Sequence, residues 1–245
     1  MLYKGDWLAY DANIASQSGI HSGVHVHNLV RIEQDGIAVP QVVGASPCQM
    51  RASAGTAIYT YGLALVTPIY KGKPQVGKVD REFLFIKPGT FVVFDRVQTI
   101  GAGTRRVWSL NLPATPAVSG DTVSLVRGAN RLDVMRLAPG GLTTQLVPWS
   151  GSISAGVRMD VADNVGDTSL FLNVLGVDGS VVQVVRSDGP GQTGAQILMT
   201  GGVAATVRFN NAGSGGSLEI RNTAGALLSS GMLPTTVQPL PLFIN

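Results

Sequence analysis

Cysteine is nearly missing from this chain. Cys48 is the only one in 245 residues, which excludes an internal disulfide and any Cys-x-x-Cys metal or redox site. Its expected place is that of a small buried residue. Charge is scarce as well: charged residues make up 13%, with 18 Lys and Arg against 15 Asp and Glu. No run of Lys or Arg occurs, so the basic patch that nucleic-acid binding needs is lacking and no nucleic-acid partner is expected. The small excess of base, with a pI near 9.2, suits an anionic polysaccharide. Long apolar runs are also absent. No segment approaches the ~20 apolar residues that span a bilayer, so no membrane partner is expected, and Met1 to Trp7 holds no apolar core of signal-peptide length. The strand-like start at Trp7-Leu8-Ala9-Tyr10 suggests a region upstream.

Helical periodicity is missing too, since no capped 3.6-residue pattern runs beyond about ten residues. What is present is 44% hydrophobic residues and 31 glycines, the profile of many short strands joined by glycine turns. Leu29 to Glu33 reads as a strand ending in the turn Gln34-Asp35-Gly36. Ala57 to Val66 reads as another, broken by Pro68 and the loop from Lys71 to Pro74. The plainest signal is a hairpin, Arg81–Ile86 and Phe91–Val97 around Lys87-Pro88-Gly89-Thr90. Further strands are expected at Trp108–Leu112, Thr122–Val126, Arg131–Leu137, Leu142–Val147, Ser169–Gly176, Ser180–Arg186, Gln196–Thr200, Ala204–Asn210 and Ser217–Asn222. Asp178-Gly179 and Asp188-Gly189 mark tight turns, and the glycine-rich stretch from Asn211 to Gly216 reads as a hairpin tip. The expected fold is an all-β antiparallel sandwich of stacked sheets, one domain over 1–245 with sub-layers 1–150 and 151–245.

All three histidines, His21, His25 and His27, fall within Gly19–Arg31. On a strand, side chains at i and i+2 share a face roughly 6.6 Å apart, so His25 and His27 are placed to share an ion or a ligand. His21 joins them only if Gly23 bends the chain. Imidazole titrates near neutrality and suits both proton transfer and metal binding, while a His-x-His pair is equally often a plain polar face. A triad of His21, His25 and His27 would give the three-nitrogen set of a small zinc or copper metalloenzyme. Asp11 and Asp35 are further candidate ligands that no spacing rule selects. Serine hydrolysis is disfavoured because no Gly-x-Ser-x-Gly elbow exists.

The order of several stretches resembles the carboxy-terminal β-sandwich of heparinase II/III-like proteins, which include heparinases and alginate lyases. These stretches are Gly5–Asp11, His27-Asn28 leading a strand, Tyr59–Tyr70, Arg81–Val97 with its Phe-Asp-Arg-Val ending, Trp108–Asn111, Arg131–Pro139 and Phe171–Leu175. The resemblance implies a polysaccharide lyase domain, periplasmic or secreted, that works beside a helical toroid. It implies β-elimination on a uronic acid: loss of the C5 proton to a base, neutralisation of the carboxylate, and departure of the C4 oxygen.

Carried onto this sequence, the resemblance makes His25 and His27 the catalytic or charge-neutralising pair. Tyr59 or Tyr61 would offer a phenol, and Asn28, Arg81 and Arg96 would meet substrate. The tyrosines read in preference as amphipathic core residues, and the arginines in preference as partners of Glu82 or Asp95. A divalent metal, zinc by preference, would be held by His21, His25, His27 and the residue at 111. Some relatives carry His at that place, whereas this chain has Asn111. With no toroid in the sequence, a non-catalytic carbohydrate-binding or domain-packing module is the second expectation.

Overall fold

The computed structural model describes residues 2–3, 7–9, 27–42, 48–149 and 156–238. Their central layer is an antiparallel sheet of eight strands in the order β10 (Ala117–Ser119), β11 (Thr122–Arg127), β12 (Asn130–Ala138), β15 (Thr168–Val177), β8 (Thr90–Thr99), β7 (Val76–Ile86), β6 (Tyr59–Leu65) and β5 (Gln49–Gly55). A five-stranded sheet follows the order β13 (Thr144–Pro148), β14 (Val157–Asp163), β9 (Thr104–Leu112), β3 (Val30–Gln34) and β4 (Ile37–Ala38). A second five-stranded sheet runs in chain order through β16 (Val181–Arg186), β17 (Gln192–Met199), β18 (Ala204–Asn210), β19 (Gly216–Arg221) and β20 (Leu227–Leu233). The short strands β1 (Leu2–Tyr3) and β2 (Trp7–Ala9) pair with each other.

Side-chain parity stacks the layers. Successive residues of a strand point to opposite faces, and on β8 Val93 and Val97 join Trp108, Leu110 and Met159 in one core. Their neighbours Val92 and Phe94 join Ile197, Val207 and Phe209 in another. On β15, Phe171 and Leu175 divide from Leu172 and Val174 in the same way. The central sheet is therefore buried on both faces at β8 and β15, which is why Phe91–Val97 is apolar apart from Asp95 and Arg96. Phe94 stacks on Phe209 at 4.9 Å between ring centroids, and truncating such a buried ring to Ala costs about 3–5 kcal/mol.

The expected β7–β8 hairpin is present, with Leu84 opposite Val92 and Phe85 opposite Phe91. The Asp178-Gly179 turn has both φ values positive, 51° and 71°, as a tight type I′ turn needs, and it carries the chain from β15 of the central sheet to β16 of the next layer. The expected division at residue 150 is displaced. Strand β14 pairs with both β13 and β9, and β15 lies between β12 and β8, so only the strands from Val181 onward form the separate layer. Cys48 is exposed and not buried as expected, because it precedes the solvent-facing start of β5.

Candidate functional site

A groove of about 260 Å³ opens between the central sheet and the sheet built on β9 and β3, lined by Asn28, Arg81, Phe83, Phe91, Trp108 and Ser109 among others. Arg81 reaches it from β7, where it stands opposite Asp95 of β8. Its Nε and Nη2 donate to the two carboxylate oxygens of Asp95 at 2.6 and 3.0 Å, a fork that suits a planar guanidinium. Its Nη1 donates to the main-chain carbonyl of Asn28 at 2.5 Å. The Arg81 charge is thus neutralised, and the residue serves as a wall of the groove that holds the turn at 27–29.

The same turn is held from the other side. The Asn28 Oδ1 accepts from the main-chain N–H of Asn111 at 2.7 Å and from Asn111 Nδ2 at 3.0 Å. The Ser109 N–H donates to the carbonyl of Leu29 at 3.0 Å. Asn111 Oδ1 in turn accepts from the Trp149 indole Nε1–H at 3.0 Å, and the Arg158 guanidinium lies 5.5 Å over the Trp149 ring. Asn28 is therefore pinned between two sheets, by Arg81 on one and Asn111 on the other, and His27 precedes it directly.

Beyond Asn111 the face of β9 and β3 that points away from the core carries an ionic row. Arg31 donates from Nε to Glu33 at 2.8 Å, and from Nη2 to Asp160 at 2.9 Å. Ser109 and Arg158 also donate to Asp160, each at 2.8 Å, and Arg105 donates to Glu33. Burial alone would raise the Asp160 carboxyl, but the Arg158 and Arg31 guanidinium groups hold it below the usual carboxylate range. For Arg31, burial lowers the guanidinium while Asp160 and Glu33 raise it, and the balance is upward.

Two of the expected residues lie elsewhere. Tyr61 and Arg96 are both buried on the opposite face of the central sheet, in the second core. The Tyr61 hydroxyl donates to Glu82, Arg96 Nη2 donates to the same carboxylate, and Arg96 Nε donates to the carbonyl of Asn210 at 2.5 Å. The hairpin tip closes this site: the Gly215 N–H donates to Glu82 at 3.2 Å from a φ of 81°, a conformation that favours glycine. Burial, and then the Glu82 charge, push the Tyr61 phenol well above its ordinary value. A proton held so tightly and sealed from solvent suits a structural role, and neither Tyr61 nor Arg96 shares the groove of Asn28 and Arg81. Tyr59 is half-buried against the same second core. The expected pairing of the arginines with Asp95 and Glu82 is what the structure shows.

His21, His25 and Asp11 lie outside the described residues, as does most of the Gly19–Arg31 stretch before His27. Asp35 sits in the exposed turn after β3. Among the described residues no group of three or more His, Cys, Asp or Glu side chains is placed to hold a metal. Asn111 fits a zinc site poorly: a neutral amide is not among the usual zinc ligands, its oxygen accepts the indole proton, and its nitrogen donates to Asn28. Trp149, Arg158 and Asp160 were not singled out from sequence. The signal was available, since Val157, Met159 and Val161 alternate with Arg158 and Asp160 at period two.

Against this geometry, comparisons with known proteins give one consistent result. No family model matches, and no curated protein matches. Among solved structures, the layered sandwich is shared with heparinase III and heparan sulfate lyase structures. A heparan sulfate lyase from Pedobacter heparinus superposes with a TM-score of 0.61 at 15% identity, covering 86% of this chain and 36% of that one. A heparinase III with methylated lysines gives 0.61 at 12% identity, covering 85% and 35%, and another heparinase III gives 0.55 at 14%, covering 77% and 30%. The chain thus spans about a third of the length of the structures it matches, and what it shares with them at this identity is the fold.

Among the described residues no helix is long and apolar enough to cross a membrane.

Proposed function

We propose that this chain is the β-sandwich part of a polysaccharide lyase-like protein acting on uronic-acid glycans. The observation that carries the reading is the groove wall at Asn28, fixed from both sheets and set directly after His27, in a fold shared with heparan sulfate lyases. In the reaction His25 or His27 takes the C5 proton or faces the uronate carboxylate. The electron pair left at C5 forms the C4–C5 double bond as the C4–O bond breaks, and the departing oxygen takes a proton. Phe83 and Phe91, 5.6 Å apart between ring centroids, give the groove an apolar wall against which a sugar face packs. A separate helical toroid would supply the opposite wall and the remaining polar groups. A divalent metal, if the full protein uses one, would draw on His21, His25 and His27 without Asn111, and a periplasmic or secreted setting goes with the same reading.

The test is incubation with heparan sulfate, heparin and alginate while recording the ultraviolet absorbance of unsaturated ends. Release of such ends, lost in His27→Ala, supports the reading; a folded chain without turnover on the whole panel removes the claim that the sandwich is active by itself.

A second reading, a non-catalytic glycan-binding or domain-packing module, is favoured by the engagement of all three Arg81 nitrogens with Asp95 and Asn28. It predicts retention on immobilised acidic glycan that survives His25→Ala and His27→Ala.

A further inference from the structure

We infer that Asn111 and Trp149 form a hydrogen-bonded clamp on Asn28, which fixes the turn that carries His27 beside the groove wall and commits position 111 to holding Asn28 and not a metal ion. The positional part rests on the lyase reading, whereas the clamp itself stands on donor and acceptor chemistry.

The orientation of both amides is settled by their neighbours. An indole N–H can only donate, so the atom of Asn111 that meets Trp149 Nε1 at 3.0 Å is the oxygen, which leaves Nδ2 turned toward Asn28. A main-chain N–H also only donates, so the Asn28 atom 2.7 Å from the Asn111 N–H is its oxygen. That oxygen accepts two hydrogen bonds, the number its lone pairs allow. Donors and acceptors alternate along the whole chain of contacts, and reversing either amide would set like against like.

The far end of the clamp is anchored. Trp149 lies under the Arg158 guanidinium, Arg158 stands opposite Asn111 in the β14–β9 register, and Asp160 binds Arg158 through Nε at 2.8 Å and Nη2 at 2.8 Å. The indole is therefore fixed before it donates. Asn28 receives the result on its side chain, while Arg81 of the other sheet holds its carbonyl. A zinc ion at this place would need a lone pair from residue 111 directed at the metal. Here one lone pair of the Asn111 oxygen accepts the indole N–H, its NH₂ group offers only donors, and a neutral amide is not among the usual zinc ligands.

Asn111→Asp separates the two roles, because it is nearly isosteric and changes the sign of the answer. A carboxylate is the better zinc ligand, so at a metal site it would retain or tighten the ion. In the clamp it sets an oxygen against Asn28 Oδ1, and Tm falls by about 5 °C with no response to zinc or EDTA. Trp149→Phe is the milder companion: it keeps a ring beneath Arg158 and removes only the donor. The expected readout is a shift of the His27 imidazole resonance larger than that of His21, with Tm lowered by about 2–4 °C. The inference is overturned if the unaltered chain takes up one zinc that Asn111→Asp tightens, or if Trp149→Phe leaves the His27 resonance in place. Glycan turnover measured on the same samples keeps the readings apart: no turnover in the unaltered chain removes activity from the sandwich by itself, while the zinc and resonance results still decide the clamp.

Discussion

Arg81 and Glu82 are neighbours on β7, and each pairs with an oppositely charged residue of β8, yet the two pairs face opposite ways. Arg81 meets Asp95 beside the groove, its side chain 24% exposed. Glu82 meets Arg96 inside the second core, with side-chain exposures of 0% and 2%. One pair is reachable by a ligand and holds a turn that carries a histidine. The other is sealed by Tyr61, Asn210 and Gly215 and joins two sheets. The chemistry is the same in kind, and the alternation of a strand decides which pair has access to solvent. A charged residue on a strand buried on both faces thus reveals nothing of its role until its face is known.

The comparison can be broken first at the sealed pair. Glu82→Leu leaves the Arg96 guanidinium buried without its counter-ion, and a loss of about 3–5 kcal/mol is expected in urea denaturation, with glycan turnover per folded molecule unchanged. Arg81→Met strips Asp95 of its fork on a more open site. The expected loss is about 2 kcal/mol, accompanied by a fall in turnover because Asn28 loses one of its two anchors. Tyr61→Phe removes a single hydrogen bond to Glu82 and should cost about 1 kcal/mol, again with turnover intact. If Tyr61→Phe abolished turnover while the fold held, the sealed site would have to be reconsidered as functional.

The smallest effect, and the sharpest, is in pH dependence. Burial raises the Glu82 carboxyl, the nearby Arg96 charge offsetting only part of this. Its contribution to stability is therefore whole below the unfolded value near ~4.3 and is lost as pH rises through the higher folded value. Asp160 is depressed in the fold, so its contribution is whole above the unfolded value near ~3.9 and is lost as pH falls through the lower folded value. Melting curves across pH should show Asp160→Asn flattening the acid limb, and Glu82→Gln reducing the decline on the other side. The same slope change from both variants would contradict the opposed environments of the two carboxyls.

The strands on either side of the Pro88-Gly89 turn were legible because β-rich runs and turn residues coincide there. The layering was less so. A sheet covered on both faces loses the alternation that would mark an inner and an outer side, so Tyr61 and Arg96 looked as available for chemistry as Arg81. Strand β5 was missed because Gln49–Gly55 is built largely of small residues with weak strand preference, and β20 because Leu227–Leu233 has no alternation. The His27-Asn28 neighbourhood was found by its imidazoles, and its support was not. Trp149 and Asn111 are 38 residues apart in the chain, and only the pairing of β14 with β9 brings Arg158 over the indole that donates to Asn111.

The central sheet has a further consequence for how the chain can be cut. Its second face carries Leu84, Ile86, Val92, Phe94, Leu172 and Val174, all with exposures of 1% or less under the layer that begins at Val181. A fragment ending at the Asp178-Gly179 turn would keep every strand of the first two sheets and still present that face to water, a sticky surface for a neighbouring molecule. The terminal five strands are thus a lid on an adhesive face, and their removal is expected to turn a dispersed protein into a self-associating one.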